Sequence, residues 1–185
     1  MIRPPLRRGR FRPRNRGQAL VEFALVLPIL VILLLSIIQF AFIFAAQTGV
    51  TNAVREAARL AAVNTPTVNA AQATTSANAI YAKLIGANGL MARNVFGFAA
   101  GNVVTPGTSV CYLSFPDGPG VTAIKVKVTG QYLHPIFIPL LDGILDGLDG
   151  TNDGGLRIGT AEEMTVENAV LTTTDISSVT PICKS

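Results

Sequence analysis

The chain has 185 residues, a formal net charge of +4 and a pI near 9.4. At that length there is room for one membrane helix and one small domain. The basic balance does not mark a nucleic-acid binder: seven of the fifteen basic residues lie in the first sixteen, residues 55–185 carry eight basic and ten acidic side chains, and the 6% aromatics are not interleaved with cations into a stacking platform.

Residues 1–17 are rich in Arg, Pro and Gly and read as a disordered basic leader. An apolar run follows. From Phe23 to Val54 there is no charged residue, and only Ser36 and Gln39 have polar side chains between Phe23 and Ala46. A membrane-crossing helix needs about 20 apolar residues. A buried helix of a soluble domain rarely stays apolar on every face for that long. A helix also satisfies its own backbone groups in lipid. Arg3, Arg7, Arg8, Arg10, Arg12, Arg14 and Arg16 precede the span, whereas only Arg55 and Arg59 follow closely. Basic residues stay inside, so the N-terminus is expected in the cytoplasm and the rest of the chain outside. The rival is a secretory signal peptide cut after Ala45-Ala46, but its apolar region would be only about 7–15 residues.

Glu22 sits just inside the apolar edge, five residues after Gly17. A carboxylate there is costly and is by default a functional hypothesis. The plainer reading is a headgroup-level pair with Arg16.

The helical pattern continues past the span. Thr51 to Val63 is alanine-rich, with Arg55, Glu56 and Arg59 on a wetter face. One helix is expected from about residue 18 to 63, roughly 69 Å long. Pro28 lies inside it and removes one backbone donor, which membrane helices tolerate. Ala41, Ala45, Gly49 and Ala53 recur every four residues and are read as a packing face. Asn64-Thr65-Pro66 ends the helix. Thr67 to Ile85 reads as a second helix, broken by Gly86 to Gly89.

Val103-Val104, Val110 to Phe115 and Val121 to Thr129 read as strands, the last from the alternation Ile124-Lys125-Val126-Lys127-Val128. Pro106-Gly107 and Asp117-Gly118-Pro119-Gly120 mark turns. Leu156–Val166 is expected to pair antiparallel with Val121–Thr129, against a partly helical alternative over Ala161 to Leu171. Leu133 to Leu148 is apolar but too broken by Pro and Gly for a second span.

Chemistry is sparse. Cys111 and Cys183 are candidates for a disulfide, which an exterior location permits. Asp149 and Asp153 sit in a glycine-rich stretch resembling a calcium loop, but Thr151, Arg157 and Thr160 stand at ligand positions, so no metal is assigned. His134 is the one histidine and reads as a turn or surface residue, with no nucleophile to activate. No glycine-rich phosphate cradle occurs, and Glu162-Glu163 reads as solvated charge.

The run Gly17-Gln18-Ala19-Leu20-Val21-Glu22-Phe23-Ala24-Leu25-Val26-Leu27-Pro28, with Thr51-Asn52-Ala53-Val54-Arg55-Glu56-Ala57-Ala58-Arg59 further on, resembles the TadE-like family. These are pilin-like minor components of the tight-adherence (Flp) pilus and its secretion machinery. The resemblance covers roughly residues 16 to 63. It implies that a membrane prepilin peptidase cuts after Gly17 and makes Gln18 the first residue, with Glu22 offsetting the new amine of a neighbouring subunit. Cleavage would also remove seven arginines and take the side-chain charge from +4 to −3. Phe23 and the long exterior favour a minor pilin over the shorter major pilins, which usually carry tyrosine after the glutamate.

The expected protein is α+β and pilin-like: a basic leader over 1–17, a transmembrane and stalk helix over 18–63, and an extracytoplasmic domain over 64–185 with a second helix and an antiparallel sheet. It is expected in the bacterial cytoplasmic (inner) membrane, with no cofactor and no enzymatic role. Its implied partners are the peptidase, other pilin-like subunits, the tight-adherence membrane machinery and the lipid bilayer, not nucleic acid. The competing class is an uncleaved, single-pass anchored binding module.

Overall fold

A computed structural model describes residues 16–64, 70–118, 121–138, 143, 150, 154–167 and 181–185. The fold is α+β: a long apolar N-terminal helix, then a small domain with further helices and a four-stranded antiparallel sheet. Helix α1 runs Arg16–Asn64, α2 Ala70–Ile85 and α3 Leu90–Asn94. The strands are β1 Ser109–Gly118, β2 Val121–Pro135, β3 Gly155–Thr165 and β4 Ile182–Lys184, in the order β3-β2-β1-β4.

The chain divides into two compact units, Met1–Ile37 and Ile38–Ser185. The described part of the first is the beginning of α1. Its large apolar side chains, from Leu20 to Ile37, are exposed. Ser36 returns its hydroxyl to Ile32 O at 2.8 Å, so this polar side chain is satisfied within the helix. Pro28 supplies no N–H to Ala24 O, and the helix carries on through it.

The second unit holds one core. On α1, Ile43, Ala46, Val50, Ala53, Ala57 and Ala61 are buried, in steps of three and four residues that keep one stripe facing the sheet. The expected small-residue face is therefore only half right. Gly49 and Ala53 are buried, but Ala41 and Ala45 are exposed, because a strict four-residue row drifts around the helix away from the sheet. The small stripe has a purpose at two places. A Cβ on Gly49 would collide with the Asn94 carbonyl, where α3 ends against α1. A Cβ on Gly130 would lie 2.5 Å from Val54 Cγ2 and 2.7 Å from Met91 Cε, so β2 meets α1 through bare backbone.

Strand β2 is the spine of the sheet. Ile124, Val126, Val128, Gly130, Tyr132 and His134 are all buried, with Lys125, Lys127, Thr129, Gln131 and Leu133 alternating on the wetter face. Lys127 and Glu163 are register partners there, paired at 3.1 Å. Beside the α1 stripe, Ala73, Ala77, Ile80 and Leu84 of α2 cover the β1–β4 side. Helix α1 is pinned to β3 and its exit by Gln47 Nε2 donating to Gly159 O (3.3 Å), Arg55 Nε to Glu162 Oε1 (2.7 Å) and Glu167 N–H to Ala62 O (3.4 Å).

Several expectations need correction. Strand β2 runs six residues beyond Thr129, so His134 lies inside a buried strand and is 4% exposed, not at a turn or on the surface. Val103-Val104 forms no strand, only a bridge from Val103 to Tyr132. Ala161 to Thr165 belongs to β3, paired with β2, which overturns the helical alternative for those residues. Helix α3 and strand β4 were not expected at all. Thr67–Asn69 and most of Pro139–Asp153 lie outside the described residues, and so do both calcium candidates, Asp149 and Asp153.

Candidate functional site

The start of α1 carries the residues singled out by spacing. Gly17 and Gln18 stand where the described part of α1 begins. The Gly17–Gln18 peptide bond is helical. Glu22 follows one turn on. Its Oε1 accepts a hydrogen bond from Gln18 Nε2 at 3.1 Å, an i,i+4 contact on the exposed surface. Gly17, Gln18 and Glu22 are all exposed. The site is an exposed helical peptide bond with an exposed carboxylate one turn on.

Among the described residues, one helix is long and apolar enough to cross a membrane, Gly17–Val63, by length and composition. None of its most apolar window is buried within the chain. That separates it from the core helix of a soluble domain, which hides its apolar face.

The other candidates fall in the second unit. Cys111 and Cys183 are register partners of β1 and β4 and are joined by a disulfide, with Cα atoms 4.1 Å apart and 72 residues between them in sequence. No group of three or more His, Cys, Asp or Glu side chains that would hold a metal occurs among the described residues. Both ring nitrogens of His134 are buried without a hydrogen-bond partner. Desolvation pushes its pKa below 6.5, which keeps the ring neutral. An unbonded imidazole edge-on to Phe137 at 6.5 Å is a packing residue, not a positioned base. A cleft of about 430 Å³ between α1, α2 and α3 is lined by Leu60, Lys83, Asn88, Leu90 and Arg93 among others, and holds cations but no nucleophile with a base.

Sequence reasoning missed the role of Gln39. Its side chain is buried. Nε2 donates to Pro135 O (3.3 Å) and Oε1 accepts from the Phe137 N–H (3.1 Å). The available signal was a lone carboxamide in an apolar run, which needs a partner to be tolerated.

Residues 17–59 match the model of a family described as TadE-like protein. The matched segment begins at Gly17, contains Glu22 and ends at Arg59, within α1. No curated protein and no solved structure matches the chain. The apolar helix and the family match together point to a membrane-anchored, Tad pilus-associated protein.

Proposed function

We propose that this chain is a structural, pilin-like minor subunit in tight-adherence (Flp) pilus biogenesis or the associated secretion, and that a prepilin peptidase cuts it between Gly17 and Gln18. The observation that carries the reading is where the family match begins: at Gly17, with Glu22 five residues on and the exposed apolar helix behind it.

The chemistry follows from charge. Cleavage turns the Gln18 amide nitrogen into an α-amine, which is positive near neutral pH. An amine in a low-dielectric layer is tolerated only with a counter-charge. Glu22 is exposed, so it is free to meet such an amine on a neighbouring subunit. The cut also removes the leader 1–17, whose seven arginines hold the N-terminus on the cytoplasmic side. The remaining parts are a membrane and stalk helix over 18–63 and an extracytoplasmic domain over 64–185, in the bacterial inner membrane.

The test is the N-terminal residue and intact mass of the protein from its native membrane. A chain starting at Gln18 supports the reading. A chain that keeps residues 1–17 sinks peptidase processing and leaves an anchored binding module. A start near Gln47 means an ordinary signal peptide and removes the membrane stalk.

A further inference from the structure

Two aromatic side chains of the second unit point into solvent at one end of the domain. Phe96, in the loop after α3, is 68% exposed, and Phe137, in the loop after β2, is 67% exposed. Neither hangs on a free loop. The Phe96 ring stacks on Phe42 of α1, with centroids 5.6 Å apart and planes within 2°. Its loop is held by the buried Tyr132 hydroxyl, which accepts from the Ala99 N–H (3.0 Å) and donates to Gly97 O (3.3 Å). Phe137 is fixed by the Gln39 carboxamide. Both loops thus reach α1 at the level of residues 39–42, where Ile38, Phe40 and Phe44 are also exposed.

In sequence, no charged side chain occurs from Asn94 to Pro116, from Val128 to Leu141, or on α1 before Arg55 within this unit, and the β2–β3 connection that follows carries Asp142, Asp146, Asp149 and Asp153. Among the described residues, Arg157 stands towards this end, with Leu133 as its register neighbour. The pairs Arg55–Glu162 and Lys127–Glu163 lie at the other end or along the sheet. A span of about 20 residues counted from Phe23, the first residue after Glu22, ends near Phe42.

We propose that this end of the domain is a bilayer-docking surface, with Phe96 and Phe137 set in the interfacial layer of the outer leaflet beside the emerging helix. Aromatic rings are enriched at that depth, and a fixed apolar patch beside residues 38–44 of α1, which follow the span in sequence, has lipid as its nearest apolar medium. The inference rests on the reading that α1 spans the membrane.

The chain contains no tryptophan, so single substitutions report cleanly. Four variants of the full chain are placed in phosphatidylcholine vesicles with and without brominated acyl chains: Leu30→Trp, Phe96→Trp, Phe137→Trp and Phe115→Trp. Phe115 pairs with Ala123, at the end of the sheet whose neighbour Ile124 contacts Val166 near Ala62, far along α1 from Gln39. Bromine quenching and blue-shifted emission at positions 30, 96 and 137, with no quenching at 115, is the expected result. Quenching at 30 but water-like emission at 96 and 137 overturns the docking surface while the span stands. Absence of quenching at 30 overturns the span itself, and the docking surface with it. Blue-shifted emission at 96 and 137 that bromine does not quench means that a second protein copy covers the patch, and overturns the proposal.

Discussion

Gln39 and Phe137 are 98 residues apart in sequence and joined by one hydrogen bond, from the Phe137 N–H to Gln39 Oε1 at 3.1 Å. The same carboxamide donates to Pro135 O. One side chain in an otherwise apolar run thus satisfies both backbone groups of the turn that ends β2. The arrangement makes Gln39 a clip between helix and sheet, and gives the family-matched helix a fixed relation to a loop outside the match.

Replacing Gln39 by Leu should release that loop. The substitution keeps the volume but strands a buried donor and an acceptor, at about 1–3 kcal/mol for each group that stays dry. Hydrogen exchange at the Phe137 amide should accelerate, while amides at the centre of β2, such as Val126, stay protected. Unchanged protection at Phe137 would show that the clip contributes nothing.

The disulfide should matter most at the chain's end. Strand β4 has three residues, too few to hold itself by pairing alone. Linking Cys183 to Cys111 closes a loop of 72 residues, which constrains the unfolded chain by about 4 kcal/mol in the loop-entropy account. Cys111→Ser with Cys183→Ser should lower the melting temperature and open the C-terminal segment to proteolysis, leaving α1 unchanged. Identical protease patterns before and after reduction of the native chain would count against the bridge as the anchor of β4.

How legible these features were depends on where the determining forces act. Helix α1 could be read because its apolar length needs no tertiary partner. The β2–β3 pair could be read because Ile124, Val126 and Val128 alternate with lysines. The reading stopped at Thr129 because Gly130 disfavours a strand by propensity. That glycine is there for a tertiary reason, the approach of Val54 and Met91, and the alternation resumes through Tyr132 and His134. Carrying the period of two through the glycine would have placed His134 inside. Strand β4 has no such signal, since it is defined by its β1 partner. The exposed placement of Phe96 and Phe137 is likewise a matter of which loops converge, not of local pattern.

His134 predicts a pH dependence of definite sign. Burial lowers its pKa in the folded chain below the ordinary 6.5, so the unfolded chain takes up the proton first. The folded state's advantage is complete above 6.5 and declines as the pH falls from there through the lowered folded value. Denaturant stability of the second unit should therefore drop on acidification over this window. His134→Phe should flatten that part of the profile. An unaltered slope in the variant would assign the acid sensitivity to other groups.

A Glu22→Gln variant would separate processing from assembly. The bond proposed to be cut lies one turn before it, and a Glu22→Gln change keeps both the helix and a side chain able to bond Gln18. Cleavage after Gly17 should therefore proceed, giving a chain that starts at Gln18. What disappears is the charge that would face the new amine. If that amine enters an apolar layer beside a neighbouring subunit, leaving it uncompensated should reduce incorporation into the sheared pilus fraction on the order of a hundredfold. Glu22→Asp, which keeps the charge on a shorter arm, should recover part of it. Equal incorporation of the Gln variant would remove Glu22 from assembly even if cleavage at Gly17 is established. Loss of cleavage in the Gln variant would instead make the carboxylate part of what the peptidase reads.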